Sequence, residues 1–301
     1  MLTDSQVSEF NDKGYLVIEN FLDRDNVEAL NREAQKLLES FDLKNHPKTK
    51  FNTTSDNQHI GDEYFLKSST NISYFLEEAA FNEKNELTVD APWKAVNKIG
   101  HALHKLNPAF SDITDSDRVK QITQSLGINN PYMLQSMLIF KHPKVGGEVR
   151  EHQDSTFLYT DPPSAIGFWF ALEDVTLENG CLWFVDGSHR LNGKSIKRRF
   201  VRNPEYFSDE SLSVPKSDAT GPALTFRYSK NEGETREYTE YDWIPIEMKA
   251  GSLALIHGSV LHKSQKNTSD KSRYAYTFHV IDTEAKYSKE NWLQVPDLKS
   301  Y

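Results

Sequence analysis

The 301-residue sequence contains a single cysteine, Cys181, so no disulfide can form within the chain. A chain without disulfides is typical of a reducing compartment. Cys181 lies in the apolar run CLWFV, which favours a small core residue over a nucleophile. We therefore expect an intracellular protein, cytoplasmic by default, in which this thiol has no chemical role.

Basic charge and long apolar runs are also scarce. Asp and Glu number 44 against 35 Lys and Arg, which gives a net charge of −9. Because nucleic-acid-binding proteins usually carry a basic excess, this balance argues against a nucleic-acid partner. No stretch approaches the length of a membrane span, and the N-terminus has acids spread through it without an apolar core. We expect no membrane association and no signal peptide, and nothing indicates an obligate protein partner.

The main concentration of positive charge is the run GKSIKRRFVR, which contains Lys194, Lys197, Arg198, Arg199 and Arg202. A solvated loop or helix face is the simpler interpretation of such a run. The alternative is a site for phosphate groups, for example those of an acyl-CoA thioester.

The first part of the chain, residues 1–130, has a largely helical pattern. Thr3 and Gly14 are typical start and stop signals for a helix over VSEFNDKG, and YLVIENFL follows as a short strand. DRDNVEALNREAQKLLESF has apolar residues at helical spacing, with Asp23 as a plausible cap. SYFLEEAAF and PWKAVNKIGHALHKL are also predicted to be helical.

The pattern changes at residue 131 to short apolar runs bounded by Gly, Pro, Asn and Asp, namely MLQSMLIFKH, IGFWFALEDV, GCLWFV, SLALIH and RYAYTFHVI. Strands without intervening helices predict an antiparallel barrel or jelly roll over 131–301. A polar stretch at about 192–242 interrupts them as a long insertion, and such loops often cover functional sites. We expect one domain, 1–301, mainly β, with the helical region 1–130 packed on the jelly-roll core.

His152-Gln153-Asp154 is the first candidate for chemistry. Residues i and i+2 of a strand point to the same face, so His152 and Asp154 would project together into a barrel mouth. The pair alone is a weak signal. With one more histidine it would form the facial triad of non-haem Fe(II) oxygenases, which leaves three metal positions open.

Nine other histidines compete for the third ligand position. His101 and His104, placed on one predicted helix face, are expected to be packing or surface residues because no helix-spaced carboxylate joins them. His257 and His262 both lie in AGSLALIHGSVLHKSQKNTSDKSRYAYTFHV. His257 stays open as an alternative ligand, and otherwise we expect it to end a strand and pack beside the site.

The residues that follow His262 favour it as the third ligand. Ser264 lies at +2, Asn267 at +5 and Arg273 at +11. An arginine at the start of a strand beside a metal can hold a carboxylate in a bidentate fork, and a serine hydroxyl can complete the grip. The sequence therefore predicts a metal triad beside a receptor for a small diacid that also ligates the metal.

This combination resembles the phytanoyl-CoA dioxygenase family of Fe(II)/2-oxoglutarate oxygenases. Similar segments extend over nearly the whole chain and include NKIGHALH, QSMLIFK, GGEVREHQDSTFLYT, NGCLWFVDGSH, HKSQKNTSDKSR and ENWLQ. The largest departure is the stretch 192–242, which is longer than the resemblance leads us to expect. The implied fold is a double-stranded β-helix, a cupin-like jelly roll, flanked by α-helices.

The resemblance implies that Fe(II) is held by His152, Asp154 and His262. It also implies that 2-oxoglutarate is bound by Arg273 and Ser264, and that O2 is the other co-substrate. Further implied co-substrate contacts are Lys98, Gln135, Met137 and Trp169. For these four, the alternatives are a surface lysine and ordinary packing in strands.

The activity implied by the resemblance is oxidative decarboxylation of 2-oxoglutarate to succinate, coupled to hydroxylation of a small molecule. Related halogenases have a small residue where Asp154 stands, so the carboxylate favours hydroxylation. An acyl-CoA is one candidate substrate, and other small metabolites or a protein side chain fit equally well. Two other functions stay open, a non-catalytic sensor of a metal and a small acid, and a zinc-dependent hydrolase or isomerase.

Overall fold

The computed structural model describes residues 1–51, 63–190, 198–209, 212–228 and 242–298. Its α-helices are α1 (Asp4–Lys13), α2 (Arg24–Glu39), α3 (Glu63–Lys67), α4 (Leu103–Leu106), α5 (Pro108–Thr114) and α6 (Asp117–Ser125). Its first strands are β1 (Tyr15–Ile18), β2 (Lys50–Phe51), β3 (Ile72–Glu77), β4 (Val96–His101), β5 (Pro131–Lys141), β6 (Val149–His152), β7 (Thr160–Asp161) and β8 (Ile166–Ala171). The later strands are β9 (Leu182–Val185), β10 (Arg198–Arg202), β11 (Leu224–Tyr228), β12 (Trp243–Ile246), β13 (Leu253–His257), β14 (His262–Ser264), β15 (Arg273–Asp282) and β16 (Lys286–Tyr287).

Two sheets build the core of the fold. The major sheet has eight strands in the order β1-β13-β8-β15-β5-β4-β3-β2, and the minor sheet has four in the order β12-β9-β14-β6. All neighbours are antiparallel except the β2–β3 pair. Smaller pairs join β10 to β11 and β16 to β7. The prediction of a mainly β jelly roll flanked by helices is confirmed.

The alternation of residues along β15 shows how the major sheet separates two layers. Tyr274, Tyr276 and Phe278 pack into the core that also contains residues of α2, α5 and α6. Ala275 packs instead with residues of β9, in the core between the two sheets. The face of the major sheet that meets the minor sheet can therefore carry polar residues only where the two sheets do not pack directly against each other.

The two N-terminal helices follow their predicted signals. Thr3 and Gln6 form a reciprocal capping box at the start of α1, and Gly14 ends this helix with φ +87°. Gly14 suits this position because a left-handed backbone favours glycine. Asp23 caps α2 by accepting a hydrogen bond from the Asn26 amide.

The prediction of helices over SYFLEEAAF and PWKAVNKIGHALHKL is wrong. The first segment forms β3, and the second forms a 3-10 turn (Pro92–Ala95), β4 and the short α4. Phe75, Leu76, Val96 and Ile99 are fully buried, and short apolar runs buried on both sides have no period that separates strand from helix. Two strands of the major sheet, β3 and β4, thus come from segments predicted to be helical.

Two smaller expectations concern Cys181 and membrane association. Cys181 is fully buried between the sheets, and burial raises the pKa of its thiol to about 11, which confirms a core residue. None of the helices in the described ranges is long and apolar enough to cross a bilayer.

Candidate metal centre

Two strands of the minor sheet bring His152 and His262 together. His152 is the last residue of β6 and His262 the first of β14, and the register pairs them directly. Asp154 lies outside β6, in a 3-10 turn (Asp154–Thr156), so the prediction that it shares a strand with His152 is wrong in detail. Because Gln153 keeps an extended backbone (φ −124°, ψ 134°), Asp154 still faces the same side as His152.

The three side chains converge on one point. Asp154 Oδ1 lies 3.7 Å from His152 Nε2 and 3.6 Å from His262 Nε2. One ligand atom from each residue lies within 4.8 Å of the other two, and no other such group of three occurs in the described part of the chain.

Main-chain carbonyls orient both imidazole rings. His152 Nδ1 lies 2.8 Å from the Arg150 carbonyl oxygen, and His262 Nδ1 lies 3.1 Å from that of Val260. Because a carbonyl can only accept, each Nδ1 carries the proton and each Nε2 presents its lone pair. Burial, helped by the neighbouring His262, lowers the pKa of His152 to about 3, so this ring is neutral at physiological pH.

The carboxylate is fixed from its other side by a chain of two residues on the major sheet. Asp154 Oδ2 lies 3.2 Å from His279 Nε2, and His279 Nδ1 lies 3.3 Å from Gln135 Nε2. Since the Gln135 amide can only donate through Nε2, His279 accepts at Nδ1 and donates from Nε2 to Asp154. A Cβ on Gly167 would lie 3.3 Å from Asp154 Oδ2 and 3.4 Å from His279 Nε2, so glycine leaves room for this contact.

The charge of Asp154 follows from the same neighbours. Burial by itself raises the pKa of this carboxyl, but His279, His262 and His152 lower it below its ordinary value. Two imidazole lone pairs and one ionised carboxylate oxygen therefore face a common point. This donor set fits a divalent first-row metal such as Fe(II) and leaves positions open for other ligands.

The metal triad lies in a cavity of about 500 Å³ between the two sheets. All nine residues singled out from the sequence line this one cavity: Lys98, Gln135, Met137, His152, Asp154, Trp169, His262, Ser264 and Arg273. The structure thus brings the whole set together, and their individual roles stay predictions.

Arg273 lies in this cavity with unused hydrogen-bond donors. Its side chain is 1% exposed, and Nε and Nη1 have no hydrogen-bond partner among the residues that the structure describes. The guanidinium carbon lies 5.3 Å from the ring centroid of Trp169. Burial lowers the pKa of Arg273 to about 10, so it remains a cation at neutral pH. A buried cation with unused donors is suited to an anionic ligand.

Two buried lysines lie near Arg273. Burial lowers the pKa of Lys98 to about 7, although the negative charge of the nearby Glu77 opposes part of this lowering. Lys141, the cross-strand partner of Arg273, donates hydrogen bonds to the carbonyls of Gly147 and Gln265. Lys141 was not singled out from the sequence, although every second residue of MLQSMLIFK from the glutamine onward faces the cavity.

The remaining motif residues have structural partners. Ser264 Oγ donates to the Gly180 carbonyl at 2.9 Å, so its hydroxyl would have to rotate to donate to a carboxylate. Asn267 Nδ2 donates to the carbonyls of Lys141 and Lys271, which fixes the loop before β15. His257 ends β13 as expected, but its ring packs 4.7 Å from that of His189 and does not line the cavity.

Sequence reasoning also missed two histidines of the cavity. His279 was one of the competitors for the third ligand position, and it contacts Asp154 instead. Its signal is the alternation with Arg273 and Thr277 along β15, which places all three on one face. His101, expected to be a packing or surface residue, is buried and lines the cavity.

The basic run at 194–202 does not form an exposed patch where it is described. Arg202 is buried and donates to two main-chain carbonyls, and Arg199 stacks on a tyrosine ring at 4.1 Å. Arg198 stacks on a phenylalanine ring at 4.2 Å and lines the cavity. Outside the described residues lie Lys194 and Lys197.

Comparison with known proteins gives one family. The sequence model of the Phytanoyl-CoA dioxygenase (PhyH) family matches residues 10–275. Phytanoyl-CoA dioxygenase domain-containing protein 1 of Danio rerio is 42% identical over 302 residues, covering 99% of this chain and 96% of that protein. Phytanoyl-CoA dioxygenase of Arabidopsis thaliana is 41% identical over 294 residues, covering 97% of this chain and 94% of the relative.

Solved structures agree on the fold. The non-heme alpha ketoglutarate dependent carbocyclase SnoK superposes with a TM-score of 0.59 at 19% identity, covering 96% of this chain and 87% of the other. EctD from S. alaskensis, solved with 2-oxoglutarate and 5-hydroxyectoine, superposes with a TM-score of 0.59 at 16% identity, covering 99% of this chain and 82% of the other. At these identities the likeness concerns the architecture alone.

Proposed function

The chain belongs to the phytanoyl-CoA dioxygenase family, and on that premise we propose that it is an Fe(II)- and 2-oxoglutarate-dependent dioxygenase that hydroxylates a small molecule. The observation that carries the proposal is one cavity in which a two-histidine, one-carboxylate triad faces a buried arginine with unused donors. Such a combination suits a metal together with a diacid that binds both the metal and the arginine.

In this proposal the triad holds the metal. His152 and His262 contribute Nε2 because their Nδ1 protons are bound to carbonyls, and Asp154 contributes Oδ1 because His279 occupies Oδ2. When bound, Fe(II) and 2-oxoglutarate supply the chemistry, oxidative decarboxylation to succinate and CO2 with O2 as oxidant. The carboxylate of Asp154 fills the position that a halide would need, which favours hydroxylation over halogenation.

The basic residues of the cavity hold the co-substrate in the proposed reaction. Arg273 takes the carboxylate of 2-oxoglutarate that is remote from the metal, and Lys98 adds a second positive charge nearby. Trp169 packs beside the guanidinium and limits its movement. Asp154 and His262 are buried between the two sheets, and this burial strengthens the electrostatic contacts around them.

The test is iron-dependent release of succinate from 2-oxoglutarate by the purified full-length chain. We expect succinate with Fe(II), 2-oxoglutarate and O2 together, and none when Zn(II) replaces Fe(II). Binding of the metal and 2-oxoglutarate without any succinate would favour a sensor, and a hydrolytic activity with Zn(II) would favour a hydrolase. Either result would overturn the proposal.

A further inference from the structure

The cavity has a second end that the proposed co-substrate site does not use. Arg273 and His279 both face the cavity from β15, and six positions along a strand correspond to about 20 Å. His101 lies at the His279 end, because the register pairs His101 with Ser136, next to Gln135, which pairs with His279. His101 is thus remote from Arg273 and close to the metal triad.

Aromatic rings form the walls at this second end. The ring of His101 lies 5.1 Å from that of Trp292 and 5.9 Å from that of Phe65, measured between centroids. Phe157 and Phe200, whose centroids are 5.7 Å apart, line the same cavity. We call these five residues the aromatic end. Walls of this kind bind apolar molecules and fix them through a few polar groups.

His101 supplies such a polar group. Ser68 has one hydroxyl hydrogen and donates it to the Phe65 carbonyl at 2.6 Å, so the 2.8 Å contact to His101 Nδ1 is a donation from the ring. Nε2 of His101 therefore carries a lone pair. It has no hydrogen-bond partner in the ranges that the structure describes, and the residue lines the cavity. Burial lowers the pKa of His101 to about 3, so the ring is neutral.

The neighbouring His104 shows the contrast within one motif. Its Nε2 donates to the Met133 carbonyl at 3.1 Å, and its Nδ1 accepts from the Ser136 hydroxyl at 2.8 Å. Both nitrogens of His104 are thus used by the protein, and the residue does not line the cavity. The unused acceptor of His101 is therefore specific to that residue and not a general feature of NKIGHALH.

We propose that His101 Nε2 accepts a hydrogen bond from the prime substrate, and that this substrate is a small, mostly apolar molecule with one hydroxyl or N–H donor. The inference rests on the proposed function, whose substrate class it names. Aromatic walls favour the apolar part of the molecule, and a buried acceptor left unpaired discriminates against analogues without a donor. His101 is then a specificity-determining residue beside the metal triad.

The test uses two probes of nearly equal size and shape, indole with an N–H donor and benzofuran without one. Binding to the metal-free full-length protein is measured by titration calorimetry. We expect indole to bind about 5-fold more tightly than benzofuran, the effect of one buried hydrogen bond. His101→Phe should abolish the difference, and the matched control His104→Phe, checked for its melting temperature, should retain it.

A second measurement avoids substitution. In wild-type protein with 15N-labelled histidine, the Nε2 signal of His101 should shift on addition of indole and stay in place with benzofuran. Equal affinities for the two probes in the wild type, the same preference in His101→Phe, or no binding of either probe would each overturn the inference. Neither measurement needs metal or turnover, so a failure of the succinate assay and a failure here are separate results.

Discussion

The two ends of the cavity are built from different parts of the fold. The basic end, which we define as Lys98, Lys141, Ser264 and Arg273, comes from β4, β5, β14 and β15, which are strands of the two main sheets. The aromatic end comes mostly from short elements, with Phe65 in α3, Phe200 in β10 and Trp292 after the last strand. Strands of the two main sheets thus carry the proposed co-substrate contacts, whereas most of the aromatic walls around His101 come from short peripheral elements.

The difference between the ends is also one of charge. Two lysines and an arginine are buried at the basic end, where they favour an anion. The aromatic end offers rings and one neutral acceptor. The metal triad lies beside the aromatic end through its contact with His279, so a molecule held there would lie close to the metal. Substitutions at the triad should impair both ends, and those at one end should leave the other intact.

The largest effect is expected for Asp154→Ala, which removes the carboxylate of the triad. Metal affinity should fall by at least about 100-fold and succinate formation should fall to background. Metal content and succinate yield are measured on the same samples. The control is Glu151→Ala, which removes an exposed carboxylate lining the same cavity. Full turnover by Asp154→Ala would mean that the triad is wrongly assigned.

Arg273→Ala tests whether the basic end binds 2-oxoglutarate independently of metal binding by the triad. Removing one partner of a buried charge pair weakens binding by about 30-fold or more, so the 2-oxoglutarate requirement should rise by that factor. Metal affinity should stay unchanged, because Arg273 contacts no triad residue. Arg227→Ala, which removes an exposed arginine paired with Glu290, is the control. If Arg273→Ala lost metal and kept its 2-oxoglutarate requirement, Arg273 would belong to the metal site.

These two predictions concern residues that the sequence was able to indicate. His262 begins β14 and Arg273 begins β15, and a single loop joins the two strands. Their spacing in the sequence therefore limits how far apart the two side chains can lie. His152 and Asp154 are two residues apart, and even a turn that begins at Asp154 leaves them on the same side. The strands from 131 onward were indicated by apolar runs bounded by Gly, Pro, Asn and Asp, which are also local features of the sequence.

Contacts between distant strands could not be predicted in this way. His279 contacts Asp154 and also Gln135, which lies 144 residues earlier in the chain. Both contacts depend on the register between strands, which the local sequence does not reveal. β4, which carries Lys98 and His101, was expected to be a helix, because buried strands with apolar residues on both faces lack a clear period. On β4, Lys98 was therefore indicated only by the family resemblance, and the place of His101 in the cavity was missed.

A smaller effect is expected for Gln135→Leu, which tests how the triad is attached to the major sheet. Leucine cannot donate to His279 Nδ1, so the ring would no longer be held with its proton toward Asp154. Loss of a residue that orients a ligand typically weakens metal binding by about 10-fold. Metal titration by calorimetry measures this, with Gln35→Leu, a partly buried glutamine on α2, as control. Unchanged metal affinity would show that Asp154 holds its orientation without this chain.

The smallest effect concerns the charge of Lys98 and its dependence on pH. Burial lowers the pKa of Lys98 to about 7, and the protonated amine is the form that attracts a carboxylate. Below this pKa the cation is already present, so 2-oxoglutarate affinity should be constant. Above it, binding must take up a proton, and the affinity should fall by at most about 10-fold per pH unit.

Calorimetry of 2-oxoglutarate binding to the Mn(II)-loaded protein on both sides of neutral pH tests this dependence. Lys98→Met should bind 2-oxoglutarate more weakly at acid pH and should lose the slope above neutrality. Lys94→Met, which removes a partly exposed lysine four residues earlier that is paired with Asp90, should keep the wild-type profile. A slope that persists in Lys98→Met would place the titrating group elsewhere, and the basic end would then act through Arg273 alone.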